Sequence, residues 1–288
     1  MPASEKPAFG AGSALGAYAV LLFGMLFIGA PAQRHGVVLG LWITEALAIA
    51  LPAVFLLQAA GVRFAPYLGL RPISPRQGLI AAVLAGLNQP VVSFLTWGAH
   101  SLLPERLVAD FDAKQRMLDA VFAANAVPMV VTVVIAAPLG EELFFRGFAF
   151  PALQRSWGTL SALLVSGALF SILHMDPVGF VGLMEIGVLL AALRCWSGSL
   201  WAAVIGHAVN NGIAGGAFLL GYEDPNLPPP PWMLAAGAAL LVAGIALLVR
   251  LLRRQPATLA VEERRAPNWL AAGALGAVWA LGLIGSWL

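Results

Sequence analysis

Long apolar stretches separated by short polar breaks run through the chain. A helix that crosses a bilayer needs about 20 mostly apolar residues. Nine stretches approach that length: 14–31, 37–60, 77–103, 126–150, 159–174, 178–194, 199–220, 232–252 and 268–287. The pattern predicts an all-α, polytopic transmembrane bundle of about nine spans, eight being possible, with no β-sheet. The fifth and sixth stretches are short and are split by His174-Met175-Asp176-Pro177, which predicts a tight helical hairpin with Pro177 opening its second arm. Arg71-Pro72-Ile73-Ser74-Pro75-Arg76 separates the second and third stretches. Asp224-Pro225-Asn226-Leu227 and the four prolines after it read as a stiff connector over 221–231. Apolar residues are spaced among charges over 104–119, which predicts an amphipathic helix on the membrane surface. The run from Ala14 to Gly29 resembles a cleavable leader, but spans of the same character follow it, so it reads as a retained first helix. The chain therefore divides into a tail (1–13), N-terminal membrane helices (14–125), a core (126–220), the connector and C-terminal membrane helices (232–288).

Composition agrees. Of 288 residues, 60% are hydrophobic and 10% charged, where soluble domains carry about 25% charged residues. The expected solvent is lipid. The net charge is only +2, and the arginines fall in breaks, so they mark topology and do not form a nucleic-acid patch. With the N-terminus cytoplasmic, Lys6, Arg63, Arg71, Arg76, Arg146, Arg155, Arg194, Arg250, Arg253, Arg254, Arg264 and Arg265 fall on or near the cytoplasmic side. Only Arg34, Arg106, Lys114 and Arg116 fall outside. That bias predicts a multi-pass protein of the cell (inner) membrane, N-terminus inside and C-terminus outside. The single cysteine, Cys195, excludes an internal disulfide and reads as a bystander thiol. No sequence repeat points to an inverted-repeat transporter.

Ionisable residues inside spans cost about 2.5–3.5 kcal/mol each at the bilayer centre, so they are functional candidates by default. They are Glu45, Glu141, Glu142, Arg146, His174, Glu185 and His207, with His100 near a span end. Glu142 and Arg146 stand four apart on one helical face and can pair, which partly offsets their burial; that pair reads equally as a structural lock. Glu141 points about 100° away and has no partner within its helix. A general base needs a carboxylate able to exchange protons near neutral pH, and desolvation acts in that direction. His174 follows one helix later. His207 and Asn211 share a face two helices further on. Each alone reads also as helix glue. Together the three polar faces suit a held water and an oxyanion site, the two requirements of carbonyl hydrolysis. Glu45 and Glu185 have no such companions in sequence and read as helix glue or cavity lining.

At these residues the chain resembles the CAAX-prenyl-protease and bacteriocin-processing family of intramembrane proteases. That family's pattern is Glu-Glu-x-x-x-Arg, Phe-x-x-x-His and His-x-x-x-Asn or Asp on successive membrane helices. Here it is matched by Glu141, Glu142 and Arg146, by Phe170 and His174, and by His207 and Asn211. The run Gly198-Ser199-Leu200-Trp201 also resembles the family, and the similarity covers roughly 126–214. The resemblance implies that Glu141 activates a water, that His174 binds or orients it, that His207 and Asn211 hold the water or form the oxyanion site, and that Glu142 and Arg146 support Glu141. It implies a hydrophobic or lipidated peptide as substrate.

Zinc is a possible cofactor through Glu141, His174 and His207 with water as fourth ligand, although the local His-Glu-x-x-His spacing is missing; the reading without a metal is preferred. Counted at 1.5 Å per residue from the cytoplasmic ends, Asn211 lies roughly 18 Å deep and His174 roughly 25 Å, a gap that needs helix tilt or a shifted boundary. The rivals to a protease are a non-proteolytic membrane scaffold or immunity protein and a proton-coupled transporter.

Overall fold

The computed structural model describes residues 8–220 and 228–253, with isolated positions at 273, 277–279 and 281. The first seven residues of the tail, 221–227 of the connector, Arg254, Arg264, Arg265 and most of the ninth apolar stretch lie outside the described residues. The described chain is helical and contains no strand. Its helices are α1 (Ala11–His35), α2 (Val37–Ala59), α3 (Phe64–Leu68), α4 (Pro75–Leu87), α5 (Gln89–Leu102), α6 (Glu105–Ala124), α7 (126–157), α8 (159–173), α9 (Phe180–Ser197), α10 (Leu200–Leu219) and α11 (Pro231–Arg253).

The protein is a multi-pass helical membrane protein, and the count of nine spans is not confirmed among the described residues. Among the described residues six runs are long and apolar enough to cross a bilayer: Ala11–His35, Val37–Ala59, Pro75–Leu102, Ala126–Leu173, Phe180–Ser197 and Pro231–Arg253. The physical reasons are local. Ala126–Leu173 is one hydrogen-bonded run of 48 residues, about 72 Å at helical rise, more than twice a hydrocarbon core of about 30 Å. Gly158 breaks it with φ 77° and ψ 171°, leaving α7 and α8 as two arms. α10 has 20 residues, but His207, Asn210 and Asn211 dilute its apolar character.

Start and stop signals act where the sequence offers them. Ser74 caps α4, its hydroxyl accepting from the Gln77 N–H while the Gln77 side chain accepts from the Ser74 N–H, with Pro75 in the first turn. Ser199 caps α10. The second arm of the hairpin begins at Phe180 and not at Pro177, because the Asp176 carboxylate accepts from the Gly179 N–H and turns the chain once more before the helix starts. The third stretch is divided at Asn88, with Pro90 in the first turn of α5. No residue of α6 is buried.

Cross-chain hydrogen bonds sort the helix ends into two groups. At one end the Ala11 N–H donates to Ser156 Oγ (2.8 Å), Arg155 Nη1 to the Phe9 carbonyl (3.2 Å), the Leu200 N–H to the Gly69 carbonyl (2.9 Å) and Ser199 Oγ to the Arg71 carbonyl (2.5 Å). At the other, Lys114 on α6 donates to the His174 carbonyl (2.9 Å) and lies 3.7 Å from Asp176. Against lipid, helices associate through close packing of small residues and through internal polar contacts. α8 and α9 cross at Gly167 and Gly187, where a side chain on Gly187 would stand 2.7 Å from the Gly167 Cα. Inside, Phe144, Phe145, Phe148, Phe150 and Phe170 form an aromatic core with Tyr18 and Tyr67. Large apolar side chains such as Leu26, Leu39, Val242 and Leu247 face outward.

Candidate active site

The site is assembled from α7, α8 and α10 around an aromatic floor. On α7, Glu142 and Arg146 are fully buried, and Arg146 Nη1 donates to Glu142 Oε1 at 2.7 Å. The second guanidinium nitrogen, Nη2, donates to the Gly187 carbonyl at 2.9 Å, at the tight α8–α9 crossing. The guanidinium also lies over the Phe170 ring, 4.5 Å from its centroid. A buried ion pair needs its remaining donors used to offset desolvation; the carbonyl and the ring serve two sides of the cation.

His207 on α10 joins this pair, which i, i+4 spacing alone does not disclose. Its Nδ1 is 2.9 Å from Glu142 Oε1, and its Nε2 is 3.8 Å from Glu141 Oε2. The Glu142 carboxylate pairs with Arg146 and serves as acceptor, so Nδ1 is the donor of this bond. The Nε2 is the nitrogen that faces Glu141. Glu141 is buried, and its Oε2 has no hydrogen-bond partner among the described residues. The imidazole thus bridges the two adjacent glutamates, tightly to one and loosely to the other.

His174 is placed differently. It closes α8, its Nδ1 paired with the Phe170 carbonyl at 3.0 Å. Its ring centroid is 5.0 Å from that of Phe170, and the centroid of His207 is 5.7 Å from the same ring. Both histidine rings therefore pack against the Phe170 ring. Asn211, one turn beyond His207, donates from Nδ2 to the Val133 carbonyl on α7 at 2.8 Å. No hydrogen bond links it to Glu141, Glu142, Arg146, His174 or His207. Among the described residues no three His, Cys, Asp or Glu side chains gather as a metal ion requires.

Three residues outside the motif also bear on the site. Glu45 of α2 is buried, its Oε2 has no hydrogen-bond partner among the described residues, and a Cβ on Gly140 would stand 2.5 Å from that oxygen. It lies directly against the turn that precedes Glu141. Asn210 accepts at Oδ1 from Gln89 Nε2 at the start of α5 (2.7 Å) and donates from Nδ2 to Asn211 Oδ1 (3.3 Å). Glu185 has a different companion, accepting from Asn88 Nδ2 at 2.8 Å, which ties α9 to the α4–α5 break. Wide, π-type turns occur at Thr44–Ala50, Thr132–Ala136 and Leu143–Ala149, the stretches that hold Glu45, Val133 and Arg146. Such turns recur where a helix is distorted for function.

Residues 123–213 match the family model described as type II CAAX prenyl endopeptidase Rce1-like, and that segment contains Glu141, Glu142, Arg146, His174, His207 and Asn211. The central helices resemble the Rce1-like CAAX prenyl endopeptidases. A Bacillus subtilis (strain 168) protein named "Putative membrane peptidase YdiL" is 30% identical over 98 residues, 34% of this chain and 39% of the relative. The chain thus matches well under half of that relative's length. No solved structure matches the chain. The Rce1-like segment ends inside α10, so α1–α5 and α11 frame it from outside the match.

Proposed function

We propose that the protein is an intramembrane endopeptidase that hydrolyses a peptide bond of a membrane-associated or lipidated peptide. The observation that carries this reading is the pair Glu141 and His207. A buried carboxylate oxygen with no hydrogen-bond partner among the described residues faces an imidazole nitrogen at 3.8 Å, and the imidazole's other nitrogen is fixed by Glu142. That distance is too long for a hydrogen bond and suits a third atom held between the two.

The chemistry follows from these positions. Glu141 takes a proton from a water lying between it and His207 Nε2, and the oxygen attacks the scissile carbonyl. Glu142, neutralised by Arg146, keeps the ring in one tautomer and one orientation, as a buried carboxylate does for a catalytic histidine elsewhere. The carbonyl becomes a tetrahedral oxyanion, which needs donors positioned before it forms. The free N–H of the Asn211 amide is the donor in this reading, and His174, whose Nδ1 is taken up by the Phe170 carbonyl, helps to orient the water. The proton held by Glu141 then passes to the departing amine as the C–N bond breaks. Water and peptide bond become carboxylate and amine with no redox partner.

The basic residues Arg71, Arg155 and Arg194, which share one end of the bundle, support a cytoplasmic placement of that end. Thiol-labelling of single cysteines placed there and beside Lys114, in sealed vesicles, checks this orientation.

The test of function uses purified full-length protein in detergent micelles and two quenched fluorogenic peptides, one farnesylated and one apolar without lipid. Glu141→Gln is expected to lower kcat by about 10²–10⁴-fold with an unchanged thermal midpoint. Cleavage at the native rate by Glu141→Gln would sink the assignment. Absence of cleavage of any membrane peptide by the unaltered protein would favour the scaffold reading.

A further inference from the structure

The structure assigns Gln89 as a positioning residue for Asn211, acting through Asn210, which presents one N–H of the Asn211 amide to the reaction centre. This inference rests on the peptidase reading and adds to it a residue outside the matched segment.

The argument begins at a group that cannot change its character. The Val133 carbonyl is a hydrogen-bond acceptor only. It lies in a wide turn, Thr132–Ala136, and it meets the Asn211 amide at 2.8 Å. The atom of Asn211 directed at it must therefore be Nδ2, which places Oδ1 on the opposite branch of the side chain. Oδ1 is met by the Asn210 amide at 3.3 Å, and that contact is favourable only if Asn210 offers its Nδ2. Asn210 Oδ1 then needs a donor, and Gln89 Nε2 is there at 2.7 Å. One backbone carbonyl thus sets the sense of three successive side-chain amides, each of which alone fits two ways round. Gln89 is the far end of the row.

The consequence is a preset donor. One Asn211 N–H is used by Val133, and the other is left with a defined direction. An oxyanion site works by donors oriented before the charge develops, and a free asparagine amide, able to turn by half a rotation, presents oxygen as readily as nitrogen. The Val133 carbonyl disfavours that second state, and Gln89, by donating to Asn210 Oδ1, holds Asn210 with its Nδ2 on Asn211 Oδ1 and so reinforces the same sense from the other side. Its own position is anchored by the chain break at Asn88, whose amide holds Glu185 on α9 at 2.8 Å. Consecutive amides on the α4–α5 break therefore grip α9 and α10.

The test measures kcat and KM for the farnesylated fluorogenic peptide in detergent micelles. Gln89→Met keeps length and removes the donor; it is expected to lower kcat about tenfold with KM within about twofold. Gln89→Glu keeps shape but presents an oxygen to Asn210 Oδ1, and kcat is expected to fall further than in Gln89→Met. Asn210→Ala interrupts the row one link nearer, and adding Gln89→Met to it is expected to cost nothing more, since residues of one hydrogen-bonded row are not additive. A purely structural role predicts instead that the variants lose thermal stability while kcat of the folded protein is unchanged and the double variant is additive; that result overturns the inference. Should Gln89→Met fail to fold, the Asn210→Ala kcat decides alone. Glu141→Gln is assayed alongside. Its inactivity with unchanged kcat in the Gln89 and Asn210 variants refutes only the positioning role, whereas its full activity removes the peptidase reading and this inference with it.

Discussion

α10 and α11 are close in length, and each is followed or preceded by the connector, yet they relate to the bundle in opposite ways. α10 carries His207, Asn210 and Asn211 and buries residues along its whole first half. α11 contains a longer uninterrupted apolar run, apolar enough to cross a bilayer where α10 is not, and Gly237 is its one buried residue. In water the more apolar helix would be the inner one. In lipid the outer surface has no need of polarity, and polar side chains are driven inward to one another. The less apolar helix is therefore the central one. α11 touches the bundle where Gly237 packs onto the Pro90 carbonyl and Phe94 of α5, a contact of small-residue type that needs no polar atom.

That contrast can be broken at its strongest point first. Arg146→Met leaves the Glu142 carboxylate buried without its cation, and a loss of about 3–5 kcal/mol is expected in thermal or denaturant unfolding in detergent. The double variant Glu142→Leu, Arg146→Met removes both charges; it is expected to regain most of that stability and none of the cleavage, which separates the lock from the chemistry. Next comes Gly140→Ala. Its methyl would meet Glu45 Oε2 at 2.5 Å and the Glu45 Cβ and carbonyl oxygen at 3.0 Å, so overpacking of about 1–3 kcal/mol is expected in the same unfolding measurement. Lys114→Ala removes the partly exposed contact with Asp176 and the bond to the His174 carbonyl, for which about 0–1 kcal/mol is expected. The smallest effect belongs to α11. Leu247 is exposed to lipid, and Leu247→Ala is expected to change stability by no more than about 0.5 kcal/mol and to leave cleavage unaltered. A large loss there would show that α11 is part of the core.

Much of this was legible in the chain itself. Eight of the nine apolar stretches coincide with described helices, because in lipid a backbone must satisfy its own hydrogen bonds. The exact span count was not, since it depends on Gly158, one residue whose positive φ divides a continuous run, and on α10, whose polar residues lower its apolarity for reasons of chemistry. In the site, the Glu142–Arg146 pair follows from four-residue spacing. The bond from His207 to Glu142 joins positions 65 apart, and no periodicity carries it. Glu45 has no sequence companion because its neighbour is Gly140, which offers nothing but room. Gln89 and Asn210 are neutral amides and carry none of the insertion cost that marks an ionisable side chain within a span. Two adjacent amides before Pro90 in an otherwise apolar stretch were the available signal.

The wide turns in α7 have a consequence for how its faces are numbered. Each turn accommodates one residue more than the regular repeat, so everything beyond it is rotated by about 100° from where uniform winding would put it. α7 contains such turns at Thr132–Ala136 and at Leu143–Ala149. A helical wheel drawn from Ala126 at constant pitch therefore assigns the wrong azimuth to Glu141 after the first offset, and again to Leu153 after the second. Deleting one residue within either stretch would shorten the chain by a trivial amount and yet swing half of the helix away from its present neighbours.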